Sequence, residues 1–485
     1  TFNWEQPYFV DSNTALVFGS TRADRRLTLV DNINLTGTGT NYSLREFRVV
    51  DNPAVTTDFT RLSGVISGAL QRDLAKLGDG VLELTGANTF LGGVVVGEGA
   101  LLTDNSSGLG ASNGSYVLLG KRSGADDASL LASNTTGTIT LSRPIHIQSG
   151  GTGNAVLGST VAPDAATAGN VNFTGNIDIG LAGLNVAKQV ILTAAANSTV
   201  TLSGRIASAS GYTGAVNIQK RGLGTVTISG PQSYATGTSL AALAGTMNLD
   251  SDAGARGKPD LSAAGTGTVL RLRATQHVNS LAATAGGGIE IAASAHPIPP
   301  YQPGSRFVST KSVSVDTASS SYLDLGDQAL VIDYTGGANP LAQIQQLIKS
   351  GANFAGTAWT GPGIRSSAAR SDAGGLTAIG IVDNALLGYD TIQGTAVGNG
   401  LPDGEALPAQ SLLLKWTYGG DTDLNGRIDG DDLVSFNVGY ATHGSSWDVG
   451  DFDYNGVVDG DDLVTLLVSY ANQGGPLASS LPSAA

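Results

Sequence analysis

The chain has no cysteine, a single methionine among 485 residues, and charge on only 14% of its positions. Without cysteine there is no disulfide staple and no thiol chemistry, so stability must come from packing or from bound ions. Aromatic residues make up 6% and no run of about eighteen apolar residues occurs, so nothing in the sequence is fitted to cross a membrane as a helix. Basic residues are scarce too. Against 40 Asp and Glu stand 26 Lys and Arg, a net charge of −14, which leaves no basic face for a phosphate backbone and excludes nucleic acid as a partner. The four histidines, His146, His277, His296 and His443, show no metal-protease spacing.

What the chain does have is glycine, 68 residues of it, set among abundant Ala, Thr, Ser, Val and Leu. That mixture is too apolar for disorder and too glycine-rich for a helical protein, which leaves repetitive β-structure. Short alternating runs end in glycine, as in Gly80-Val-Leu-Glu-Leu-Thr-Gly86 and Gly224-Thr-Val-Thr-Ile-Ser-Gly230, and read as strands of four to six residues closed by tight turns. The unit running from Lys76 through Phe90 returns from Lys220 through Tyr234, 144 residues later. One such unit cannot bury its apolar face alone, but stacked copies share a core, at about 20–25 residues per coil.

These stretches resemble the autotransporter-associated β-strand repeat, a parallel β-helix module of bacterial surface and secreted proteins. Leu62-Ser-Gly-Val-Ile-Ser-Gly68 and Leu202-Ser-Gly-Arg-Ile-Ala-Ser208 resemble the strand that precedes that repeat. The resemblance covers about residues 30–320 and implies a parallel β-helix, or β-solenoid. A locally aromatic segment, Phe2, Trp4, Tyr8 and Phe9, is expected to cap its first coil, since an open strand edge would otherwise polymerise.

Near the C-terminus an acidic motif occurs twice, thirty residues apart: Asp421-Thr-Asp423-Leu-Asn425-Gly426-Arg427-Ile-Asp429-Gly-Asp-Asp432 and Asp451-Phe-Asp453-Tyr-Asn455-Gly456-Val457-Val-Asp459-Gly-Asp-Asp462. Oxygen side chains at positions 1, 3, 5, 9 and 12, with glycine at 6 for the bend, are what a hard cation such as Ca2+ needs to be wrapped by one short loop. Between Gly420 and Asp462 eleven aspartates face one basic residue, Arg427, a density that opposes compaction unless cations cancel it. Each loop runs into a helix-like stretch, Leu433 to Ala441 and Leu463 to Ala471.

Residues 419–474 resemble the paired dockerin-type calcium-binding repeats. The resemblance implies two Ca2+ ions, one held by Asp421, Asp423, Asn425, Asp429 and Asp432 with the carbonyl of Arg427. The other would be held by Asp451, Asp453, Asn455, Asp459 and Asp462 with the carbonyl of Val457. Where cohesin-binding dockerins carry small hydroxyl residues, at positions 10 and 11, this chain has Gly430-Asp431 and Gly460-Asp461, which speaks against a cellulosome role. The two following helices are expected to pack on each other through Leu433, Val434, Phe436, Val438 and Tyr440 against Leu463, Val464, Leu466, Val468 and Tyr470.

Between these regions the texture is mixed. Tyr322–Asp324, Leu330–Tyr334, Ala378–Val382 and Ser411–Tyr418 read as strands. A helix is predicted from Asn339-Pro340, with Leu341, Ile344, Leu347 and Ile348 on one face and Gly351 as its stop. The proline-dense stretch His296–Pro303 is expected to be a loop or hinge.

The fold class expected is mainly β: a parallel β-helix/solenoid, followed by a small α/β segment and a small α calcium-binding (dockerin-like) module. The division is 1–320 solenoid with N-terminal cap, 321–418 mixed α/β cap, 419–474 calcium module and 475–485 flexible tail. Catalytic constellations are absent from this reading. Gly110-Ala-Ser112-Asn-Gly114 fits a nucleophile elbow only by composition, and Lys121, Arg122, Asp126 and Asp127 read as a solvated turn. The expected function is therefore a non-enzymatic structural protein, bacterial and extracellular or at the cell surface after signal-peptide removal. Its calcium module would lock the C-terminal end or contact a protein partner, including other copies of the chain. The alternative is a polysaccharide-binding or polysaccharide-degrading β-helix protein.

Overall fold

A computed structural model describes residues 1–5, 9–10, 14–37, 44–69, 71–111, 115–293, 306–388, 391–392 and 405–474. Tyr8, Ser112 of the elbow-like motif, His296–Pro303 and the tail 475–485 lie outside the described residues. The chain forms two compact units, Thr1–Pro259 and Asp260–Ala485.

The first unit is a parallel β-solenoid, because the same apolar-polar alternation returns in register coil after coil. One sheet runs from Leu16–Gly19 through Arg45–Val50, Leu74–Leu77 and Val94–Val96 to Gln232–Ser233, and a second from Leu27–Leu29 to Ser239–Ala242. A third stacks Thr138–Leu141, Asn170–Phe173, Thr199–Leu202, Thr225–Ile228 and Thr246–Leu249, every step parallel. Register alignment turns alternation into columns. Ile139, Val171, Val200, Val226 and Met247 form one buried column and Leu141, Phe173, Leu202, Ile228 and Leu249 the next. Thr140, Asn172, Thr201 and Thr227 form the column between them on the outer face. Each buried aliphatic side chain contributes about 1.5–3 kcal/mol, and a column shares that burial across coils that could not hold it singly.

The coils are less regular than the sequence suggests, some shorter and some longer. Leu82 pairs with Leu101 and Leu101 with Leu130, steps of 101 − 82 = 19 and 130 − 101 = 29 residues. Ala155 pairs with Val190, 190 − 155 = 35 residues on. The strands fix the register while the turns between them absorb the extra length at little entropic cost.

The repeated lysine has a structural use. Lys76 and Lys220 are both fully buried. Lys76 Nζ donates to the carbonyl oxygens of Gly78 at 2.6 Å and Glu98 at 2.9 Å. Lys220 Nζ donates to those of Gly222, Gly224 and Ala244 at 2.5–2.6 Å. Each ammonium thus satisfies the glycine turn that follows its strand and ties it to a carbonyl more than 20 residues further along. At the N-terminus Trp4 is fully buried, its ring 5.4 Å from that of Phe47 and 5.5 Å from the Arg45 guanidinium, while Arg45 pairs with Glu5 at 2.7 Å.

In the second unit, Asp260–Ala264, Ser280–Thr284 and Ser312–Val315 stack in parallel, as do Val269–Leu272, Gly288–Ile291, Tyr322–Asp324 and Gly363–Arg365. A third sheet starts in the same way, Gln276–His277 beside Phe307–Thr310 beside Ala329–Asp333, and then changes sense. Ala329–Asp333 pairs antiparallel with Ser411–Tyr418, which pairs antiparallel with Thr377–Asp383. These last two strands are buried at every position. The helix Leu341–Ala352 forms as predicted and buries Ile344 and Ile348. Gly351 does not end it. It lies inside the helix because a Cβ there would stand 1.9 Å from the carbonyl oxygen of Ile364, and Asn353, in the left-handed conformation, is the actual stop.

Candidate metal centres

The strand Ser411–Tyr418 leads directly into the first acidic loop, and Ser446–Gly450 into the second. In both loops a residue at position 4, Leu424 or Tyr454, adopts positive φ, and the glycine at position 6, Gly426 or Gly456, does the same at +86° and +98°. Two left-handed residues within three positions bend the backbone tightly enough to turn its amides inward. Each loop ends on a reciprocal cap. Asp429 accepts from the amide of Asp431 at 3.0 Å and Asp432 from that of Asp429 at 2.8 Å, which starts the helix Gly430–Thr442. Asp459 and Asp462 do the same for the helix Gly460–Asn472.

The result is two triads, Asp421, Asp423 and Asp432, and Asp451, Asp453 and Asp462, in each of which carboxylate oxygens lie within 4.8 Å of one another. Both triads could hold a metal ion. Asp421, Asp432, Asp451 and Asp462 are buried, whereas Asp423 and Asp453 are half-buried at the mouth. Asn425, half-buried, and Asn455, exposed, donate to the carboxylates of Asp423 and Asp453 at 3.1 Å, and their Oδ1 atoms accept from the amides of Arg427 and Val457 at 2.8 Å. Asp429 and Asp459 stand outside the triads, with their carboxylates on the helix caps; Arg427 and Val457 are exposed.

Gathering carboxylates in a buried place is electrostatically costly. Burial, reinforced by Asp462 and Asp453, pushes the Asp451 carboxyl up to about 6. Burial likewise raises Asp432 to about 6 and raises Asp462. Asp421 is also raised by burial, against the pull of the Lys415 ammonium. One oxygen, Oδ1 of Asp451, is buried without any hydrogen-bond partner. A hard cation at either triad would remove these penalties together, so the donor set fits a divalent ion such as calcium.

The surroundings contain residues the sequence pattern does not mark. Trp447 Nε1 donates to the carbonyl of Asp421 at 2.7 Å, and the Tyr454 hydroxyl donates to the carbonyl of Ile379. Lys415 Nζ donates to the carbonyl of Leu424 at 3.0 Å, and Gln473 brackets Ile428 with hydrogen bonds of 2.9 and 2.7 Å. Lys415 had one available signal, as the only charged residue in the strand Ser411–Tyr418.

The expected helix-on-helix core does not form. Leu433, Val434, Val438, Tyr440, Val464, Val468 and Tyr470 are 41–62% exposed. Each helix buries only a narrow stripe, Asp432, Phe436 and Gly439 in one and Asp462, Leu466 and Ser469 in the other. The reason is that each docks on chain outside the helix pair. Phe436 stacks on Phe452 at 6.4 Å, Gly439 meets the carbonyl of Val449, and Ser469 Oγ donates to the carbonyl of Leu376 at 3.2 Å.

Fold and loops together define a mainly β protein with parallel β-solenoid coils, whose chain continues into two acidic loop-helix units. No family model matches the chain, and no solved structure matches it significantly. Over 142 residues, 29% of the chain, it is 32% identical to the protein described as "Adhesin BmaC autotransporter" of Brucella suis biovar 1 (strain 1330), and it spans 3% of that protein's length. Among the described residues no helix is long and apolar enough to cross a membrane.

Proposed function

We propose that the chain is a non-enzymatic bacterial protein of the cell surface or extracellular space, an adhesive or structural β-solenoid whose C-terminal loops bind two calcium ions. The observation that carries this reading is the pair of closed carboxylate triads built onto a solenoid protein, one of them with a buried oxygen that no donor reaches. The similarity to an autotransporter adhesin supports the adhesive role and the surface location. The outward column Thr140, Asn172, Thr201 and Thr227 supports a contact surface over a catalytic groove, since it sets out neither stacked aromatics nor paired acids.

In this reading the ligands are Asp421, Asp423, Asn425 and Asp432 in one loop and Asp451, Asp453, Asn455 and Asp462 in the other, with the Arg427 and Val457 carbonyls nearby in sequence. Calcium supplies the positive charge that lets the carboxylates stay ionised and close together. Extracellular sites of this kind have dissociation constants on the order of 10⁻⁴–10⁻³ M. The partner is a protein, including further copies of the chain.

Metal analysis after dialysis of the purified chain against millimolar calcium tests the loops, with two ions per chain expected. A chain that retains no calcium overturns the metal reading. Light scattering in the same buffer tests self-assembly, and a particle that stays monomeric counts against it.

A further inference from the structure

The two acidic loops match at every aspartate, yet their first carboxylates are placed in different surroundings. Asp421 is fully engaged by the protein. Its Oδ1 accepts from the amide of Asn425 at 3.0 Å, and its Oδ2 accepts from the amide of Gly426 at 2.8 Å and from the Thr417 hydroxyl. From the same strand as Thr417, Lys415 reaches into the loop and sets its buried ammonium on the carbonyl of Leu424 at 3.0 Å.

Thirty residues further on, the glycine amide returns but the Lys415 and Thr417 contacts do not. Ser445 stands where Lys415 would be (415 + 30) and Trp447 where Thr417 would be (417 + 30). Tyr454 replaces Leu424 and sends its hydroxyl to Ile379. Asp451 is 2% exposed; its Oδ2 accepts from the amide of Gly456 at 3.1 Å, and its Oδ1 has no partner.

We infer that the two loops are unequal: the loop Asp451–Asp462 is the primary calcium site, and the loop Asp421–Asp432 carries its own cation, Lys415, and takes a metal second and more weakly. This rests on the calcium reading of the loops. An ammonium inside a loop repels an incoming divalent ion, and oxygens already holding three donors must share them to coordinate it. An orphan buried carboxylate oxygen presents the opposite case, because a cation there gains a ligand without displacing any bond. Lys415 also gives the first loop a way to remain closed when calcium is absent.

The test is a calorimetric titration of the full chain, stripped of metal, with calcium chloride. The wild type is expected to show two steps separated by about tenfold or more in dissociation constant. Asp451→Asn should remove the tighter step and Asp421→Asn the weaker one, while Lys415→Met should tighten the weaker step by about tenfold and leave the tighter one in place. If circular dichroism shows that Lys415→Met has lost its fold, the order in which the two Asp→Asn variants delete the steps decides alone. Two equal steps, or loss of the tighter step in Asp421→Asn, overturns the inference while leaving calcium binding intact. A wild type that takes up no calcium overturns the calcium reading and this inference with it.

Discussion

The indole Nε1 of Trp447 donates to the backbone carbonyl of Asp421 at 2.7 Å, so the segment leading into the second acidic loop holds the first residue of the other. The same ring lies 5.1 Å from Phe452 and 5.6 Å from Tyr454, within the second loop. One buried side chain therefore touches both candidate metal centres, and a change in either should reach it.

Trp447 is expected to dominate the change in tryptophan emission when calcium is added, although Trp4, Trp359 and Trp416 are also present. Trp447→Phe should abolish that change and lower the stability of the acidic loops by about 1–2 kcal/mol through the lost hydrogen bond and packing. Fluorescence titration and urea unfolding measure the two effects; an undiminished signal in the variant contradicts the first.

Chelation of calcium should loosen residues 419–474. It should also reach Thr377–Asp383 and Ser411–Tyr418, because Tyr454 holds the carbonyl of Ile379 and Lys415 holds that of Leu424. Asp421→Ala with Asp451→Ala should have the same effect without chelator. Hydrogen exchange reads this by segment, and the amides of Thr138–Leu141 to Thr246–Leu249 are expected to stay protected throughout.

The buried lysines predict a pH dependence of the solenoid. Burial lowers Lys76 to about 7 and Lys220 to about 8, both well below an ordinary lysine. Between about pH 7 and pH 9.5 the unfolded chain then binds more protons than the folded one, so stability rises with pH across that window. Urea midpoints should increase from pH 7 to 9.5, and replacing both lysines with methionine should flatten the slope. A midpoint that falls over this range contradicts the assignment.

Gly351→Ala should destabilise the helix Leu341–Ala352 even though alanine is the better helix former by about 1 kcal/mol. The added carbon would meet the carbonyl of Ile364 at 1.9 Å and push the helix off the strand Gly363–Arg365. A net loss of about 2 kcal/mol or more is expected in equilibrium unfolding. A more stable variant would mean the helix does not approach that strand as described.

The parallel winding was legible because alternation punctuated by glycine admits few other folds, and the Lys76–Phe90 and Lys220–Tyr234 repeat pointed to stacking. The acidic loops were legible from ligand spacing, and the aspartates at positions 1, 3 and 12 of each converge, whereas Asp429 and Asp459, which the spacing also marks, stand on the helix caps. What the sequence hid was set by distant neighbours. Val434, Val438, Val464 and Val468 look like core on a helical wheel, yet they face outward because Phe436 and Leu466 carry the docking instead. Gly351 reads as a terminator until the strand it approaches is known. The asymmetry between Asp421 and Asp451 depends on Lys415, which no feature of the repeated motif announces.

Circuits of 19, 29 and 35 residues pass between strands held in parallel register. Sequence can therefore be gained or lost at the corners of the winding without disturbing its interior. A lineage carrying this architecture is free to diversify what it displays while inheriting the same framework.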